Sequence, residues 1–213
     1  MARRRERPIL RLPDPVRAQL LQARIFGDLL KGTAAARIGV CACHEGAGAT
    51  TVALNLAVML AERSGEEVAL VDANLRSPGL SAGIQSAGFG EFAEGKISPE
   101  RAFVELAPGV ALLPAGRSAD PLAAARTGAA RLPLLSLQRR LLILDLPPVL
   151  DYPEAAILAQ GTDGVLLVLA AEETRRPVAR EASQRLGAAG VKVIGAVLNR
   201  KPHYVPDWLY RML

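Results

Sequence analysis

A chain of 213 residues, half of them hydrophobic, can bury the core of one α/β domain, and no apolar run approaches the roughly 18 residues a membrane span requires. Of the net charge of +5, three charges come from Arg3, Arg4, Arg5 and Arg7 against Glu6, so the rest of the chain is nearly balanced and a nucleic-acid-binding face is not expected. No signal-peptide core follows the arginines, which points to a cytosolic protein whose contact with a membrane is indirect. Cys41 and Cys43, two apart, fit neither a redox pair nor a metal cluster and read as small buried residues.

In chain order, residues 1–13 form a basic tail that becomes a proline-punctuated linker, residues 14–201 carry the domain, and 202–213 form a C-terminal tail. Asp14 and Pro15 are an N-cap and a first helical residue, followed by a loose stripe of Val16, Leu20, Leu21, Leu29 and Leu30. A strand is expected at 37–43, then a glycine turn and a helix to about Arg63. Glu67–Asp72 reads as a buried strand ending on a carboxylate. Residues 77–100, rich in glycine, read as a long irregular loop over the site, and Ile97–Leu106 as a weak helix. A short strand at 109–113 and a helical region at 121–137, interrupted by Gly128 and Pro133, precede a strand at 139–146 that carries Asp145. Strands at 164–171 and 191–198, separated by a helix over 172–187, complete an alternation that predicts an α/β three-layer sandwich, a mostly parallel sheet with helices on both faces.

The chemistry gathers at the carboxyl edge of that sheet. In I-G-V-C-A-C-H-E-G-A-G-A-T-T, Gly46 and Gly48 allow a tight turn that aims several N–H groups at one point, and the next helix adds its positive end, which makes an anion site. The phosphate-loop pattern G-x-x-x-x-G-K-[ST] puts Gly48 at its second glycine and Thr50 at the Mg²⁺-binding hydroxyl, with Ala49 where lysine belongs. Thr50, Asp72 and Asp145 then supply a hydroxyl and two carboxylates suited to Mg²⁺. Arg76 is a salt-bridge partner or a phosphate contact. A dinucleotide reading of Gly46-Ala-Gly48-x-x-Thr51, with Asp72 as the ribose acid, is weaker because the third glycine is Thr51.

Over nearly its whole length the chain resembles the bacterial tyrosine kinases of capsule and exopolysaccharide synthesis, within the P-loop ATPases that include ParA and MinD. The resemblance rests on C-H-E-G-A-G-A-T-T-V-A-L-N-L-A and V-A-L-V-D-A-N-L-R-S-P, which are similar to the Walker A and A′ segments. L-L-I-L-D-L-P-P-V-L is similar to Walker B, and G-V-L-L-V-L-A-A and V-K-V-I-G-A-V-L-N-R to the last two strands. It implies that Glu45, Gly46, Ala47, Gly48, Ala49, Thr50 and Thr51 wrap the phosphates of ATP or ADP, with Arg76 near them. Thr50, Asp72 and Asp145 would hold Mg²⁺, Asp72 would also activate an incoming hydroxyl, and Asn199 would lie near the adenine. It further implies a membrane polysaccharide co-polymerase as partner, and self-association as a homo-oligomer.

The departures all run toward loss. Lysine is replaced by Ala49 and the second Walker A′ acid by Asn74. An E-x-x-R-x-x-R oligomerisation motif would fall on Ala18, Leu21 and Arg24, and the C-terminal tyrosine cluster is reduced to Tyr204 and Tyr210. The expectation is a pseudokinase or very weak ATPase that acts by docking, with Trp208, Leu209, Tyr210 and Leu213 as an apolar anchor or a plain terminal helix. The alternatives are an active kinase with a compensating cation from His44, Arg76 or a partner, and a partitioning-type ATPase.

Overall fold

The computed structural model describes residues 35–200 apart from Gln138, together with Gly27. The basic tail, the expected first helix with Ala18, Leu21 and Arg24, and the 202–213 tail lie outside the described residues.

The chain builds β1 (Ala36–Ala42), α1 (Ala49–Ser64), β2 (Val68–Asp72), α2 (Phe89–Ala93), a 3₁₀ turn (Pro99–Arg101), β3 (Val104–Ala107) and β4 (Val110–Leu113). It continues through α3 (Pro121–Ser136), β5 (Leu141–Asp145), α4 (Pro153–Ala159), β6 (Gly164–Ala170), α5 (Arg176–Ala188) and β7 (Val193–Asn199). The seven strands lie in the order β3-β4-β2-β5-β1-β6-β7, all parallel except β3, which pairs antiparallel with β4 at the edge. This is the P-loop-type α/β sandwich expected from the alternation of elements.

The strands are apolar on both faces, as a covered parallel sheet requires. Val40, Leu70, Ile143 and Val168 face α1, where Val52, Leu56 and Leu60 close one core. Val71, Leu142, Leu144 and Leu167 face the other way, against Leu132 and Leu135 of α3, Leu158 of α4 and Leu186 of α5. Each such side chain fully buried contributes about 1.5–3 kcal/mol, which makes the two cores the main source of stability. Gly65, at φ 70°, closes α1 by donating its N–H to the Ala61 carbonyl.

Three local expectations are corrected. The weak helix at 97–106 is instead the 3₁₀ turn and β3, because Val104–Ala107 find the β4 edge to pair with. The irregular loop at 77–100 contains α2, anchored by Phe89 and Phe92, both fully buried. The interruption of 121–137 is absent: α3 runs through Gly128, which admits the Phe89 ring, and through Pro133. The helix α4 was not foreseen; Pro153 at its first position is the signal that marks it.

Candidate functional site

The loop between β1 and α1 is shaped by two left-handed glycines, Gly46 at φ 87° and Gly48 at φ 86°. At Gly48 a side chain is excluded twice over, by that backbone and by the Asn199 amide, which occupies the space a Cβ would take. Asn199, 6% exposed at the end of β7, donates from Nδ2 to the Ala47 carbonyl at 2.8 Å. Its observed role is to hold the loop in shape. On the opposite flank, Asp151 accepts from the Glu45 N–H at 3.1 Å and lies 2.6 Å from His44 Nδ1, while Tyr152 donates to Glu45 Oε1 at 3.3 Å.

The loop opens onto a cavity of about 300 Å³ whose wall includes Glu45, Gly46, Ala47, Gly48, Ala49 and Thr50. Ala49 is the first residue of α1, so the helix's free N–H groups face the cavity and position 49 adds no charge beside them.

Beneath the cavity lie the two carboxylates. Asp72 and Asp145 end neighbouring strands β2 and β5 in direct register, at 0% and 1% exposure. Burial pushes the Asp145 carboxyl well above its ordinary range, and the Asp72 charge adds to this, opposed by a hydrogen bond from Thr50. Asp72 is also raised by burial, while the Ser81 hydroxyl and N–H, donating to Oδ2 at 2.6 and 2.9 Å, work against the shift. Asp72 Oδ1 and Asp145 Oδ2 have no hydrogen-bond partner. Two buried carboxylates with one orphaned oxygen each, beside a threonine hydroxyl, are a donor set that a hard divalent cation satisfies, with water and phosphate completing its shell.

The segment after β2 packs down on this pair. Gly79 lies so close to Thr50 that a Cβ there would meet the threonine side chain at 2.9 Å, and Ser81 is itself fixed by the Ala115 N–H on its hydroxyl. The cysteines are small buried residues as expected. Both are free and buried, and burial with the nearby Cys43 and Asp145 pushes the Cys41 thiol up to about 12.

Of the sequence-predicted residues, Glu45 to Thr50 line the cavity, Asp72 and Asp145 sit beneath it, and Asn199 braces it; Thr51 lies in the first turn of α1, off the cavity wall. Arg76 points elsewhere. Its Nε and Nη2 donate to Glu154 Oε1 at 3.0 and 2.6 Å, and its guanidinium stacks 5.7 Å from the Tyr152 ring centre. Glu154 is 3% exposed, and Arg76 is its ion-pair partner, so removing the arginine leaves a buried carboxyl without that contact. Arg76→Ala is therefore expected to lower the melting temperature while leaving nucleotide affinity within about twofold, as independent sites behave. Calorimetry on the folded variant checks this, and a large affinity loss would restore Arg76 as a phosphate contact. Sequence reading missed Ser81, Asp151 and Glu154, which carry no motif; Asp151 lies three residues past L-P-P, the one positional hint.

No protein-family model matches the chain. Tyrosine-protein kinase YwqD of Bacillus subtilis is 28% identical over 172 residues, covering 73% of this chain and 68% of the relative. The VpsO kinase domain structure, also 28% identical, superposes with a TM-score of 0.74 over 87% of this chain and 91% of that one. The chain is a relative of the bacterial tyrosine kinases. This kinase-like chain shares its fold with the kinase domain of Escherichia coli tyrosine kinase ETK, at a TM-score of 0.81 and 24% identity over 97% and 86% of the two chains. It shares it also with MinD of Pyrococcus horikoshii in complex with Mg-ADP, at 0.66 and 23% over 84% and 76%. The dinucleotide reading gives way, because Thr50 bonded to the β5 carboxylate has a place in the P-loop arrangement and none in the rival.

Proposed function

We propose that this kinase-like chain is a P-loop protein of capsule or exopolysaccharide synthesis that binds ATP or ADP with Mg²⁺ weakly, transfers phosphate poorly, and works as the cytosolic partner of a membrane polysaccharide co-polymerase. The observation that carries the reading is a glycine loop and a buried carboxylate pair at one cavity, with alanine where the P-loop pattern puts its lysine. Thr50, Asp72 and Asp145 would hold the Mg²⁺, whose chemistry is to neutralise phosphate charge. The loop N–H groups and the α1 N-terminus bind the phosphates, and Asn199 keeps the loop in its binding shape. Asp72, whose carboxyl is raised by burial and keeps one unpartnered oxygen, would take the proton of an incoming hydroxyl in this reading.

Membrane contact is assigned to the partner, since among the described residues no helix is long and apolar enough to cross a bilayer. Docking is proposed to use the C-terminal aromatic segment. The test is calorimetric titration of the full chain with ATP and Mg²⁺, with co-purification of the co-polymerase measured in parallel. Binding in the micromolar range with co-purification supports the reading. Absence of both removes it.

A further inference from the structure

With alanine at position 49, the positive charge that balances a polyphosphate has to come from elsewhere on the cavity wall. Among the described residues that line the cavity, His44 and Arg200 are the two side chains able to carry one. His44 is engaged, with its Nδ1 2.6 Å from the Asp151 carboxylate that also takes the Glu45 N–H. Arg200 is not comparably held. Its ion pair with Glu173 is long, at 3.8 Å, and both side chains are more than half exposed, a combination that restrains an arginine little.

The backbone places Arg200 where a phosphate-binding cation is useful. It follows Asn199, whose amide is hydrogen-bonded to the loop itself, and its φ of 57° ends β7 in a left-handed residue at the same sheet edge as the loop. A non-glycine residue in that conformation is uncommon, and among the described residues it is shared only with Glu172. The guanidinium stays charged at any working pH and presents a fork that matches two phosphate oxygens.

We infer that Arg200 supplies the cation the cradle lacks at position 49, exchanging its loose contact with Glu173 for the phosphates of a nucleoside di- or triphosphate. The inference rests on the reading that this cavity takes a nucleotide, and it names the residue that keeps binding alive without a P-loop lysine.

The test compares ADP with Mg²⁺ against adenosine by calorimetry in the full chain and in Arg200→Asn, chosen because asparagine tolerates a left-handed backbone. Losing a charge-assisted contact is expected to weaken ADP binding about 10- to 150-fold, with adenosine affected less than about twofold. Arg200→Lys keeps the charge without the fork and should recover part of the affinity, and Ala49→Lys should restore it in the Arg200→Asn background. If the unsubstituted chain binds ADP and Arg200→Asn binds it equally, the inference is overturned and the nucleotide reading stands. Equal loss of ADP and adenosine overturns it as well, since that would mark a structural role. No ADP binding by the unsubstituted chain overturns both.

Discussion

Ala49→Lys is expected to bind ATP with Mg²⁺ about 10- to 150-fold more tightly than the unsubstituted chain and to hydrolyse it about 100- to 1,000-fold faster. Position 49 is the first residue of α1 and lines the cavity, so a lysine there can extend into it while its stem covers the Ala42, Ala47 and Ala170 cluster that the alanine methyl packs against. The two effects differ because a ground-state charge contact contributes to affinity, whereas a contact to charge that develops in the transition state contributes to rate. Titration and a steady-state phosphate-release assay read them separately. A rise in affinity without a rise in rate would assign the remaining deficit to Asn74, which lines the same cavity and carries no charge. No change in either would remove Ala49 as the cause of impairment. The gain should be larger in the Arg200→Asn background, since two cations serving one polyphosphate are partly redundant.

Asp145→Asn is expected to make the ligand-free protein more stable at pH 8, by about 1–3 kcal/mol, while abolishing its stabilisation by Mg²⁺ with nucleotide. Asp145 sits in the core with one oxygen unpartnered and Asp72 in register beside it. Its carboxyl is raised in the folded state by burial and by that neighbouring charge. An acid of this kind holds a proton in the fold that the unfolded chain has already released. Stability is therefore greatest at acid pH and falls as pH rises from the ordinary carboxylate range toward the raised folded value. Asparagine removes the Asp145 share of that dependence and leaves the part that comes from the burial of Asp72. For a chain of this size each kcal/mol moves the melting temperature by about 2–4 °C, so thermal unfolding at pH 5.5 and 8, with and without Mg²⁺ and ADP, resolves the effect. A melting temperature of the unsubstituted protein that rises with pH across this window would contradict the assignment of a costly buried pair, as would an Asp145→Asn variant that keeps its response to Mg²⁺ and ADP.

Much of this was legible in the residues, for local reasons. Continuous apolar runs such as L-L-I-L-D and G-V-L-L-V-L-A can only be strands covered on both faces, and a carboxylate at the end of such a run must sit at the sheet's carboxyl edge. Two glycines before a helical stripe specify a left-handed turn whatever surrounds it, and Ala49 is absent charge on any fold. The sequence by itself thus determined the sandwich class, the loop and the place of Asp72 and Asp145 at strand ends, whereas their direct register follows from β2 lying beside β5 in the sheet.

What it could not determine depends on contacts between residues far apart in the chain. The Asn199 amide reaches Ala47 only because β7 and β1 flank β6, and Arg76 meets Glu154 only because α4 packs beside the end of β2. The segment at 77–100 reads as loop because its glycines dominate any local pattern, yet Phe89 and Phe92 bury it and Ser81 ties it to Asp72. Arg200 stands beside Asn199 in every reading of the sequence. Its place at the mouth of the phosphate loop is set by the end of an edge strand, and that is decided by the packing of the whole sheet.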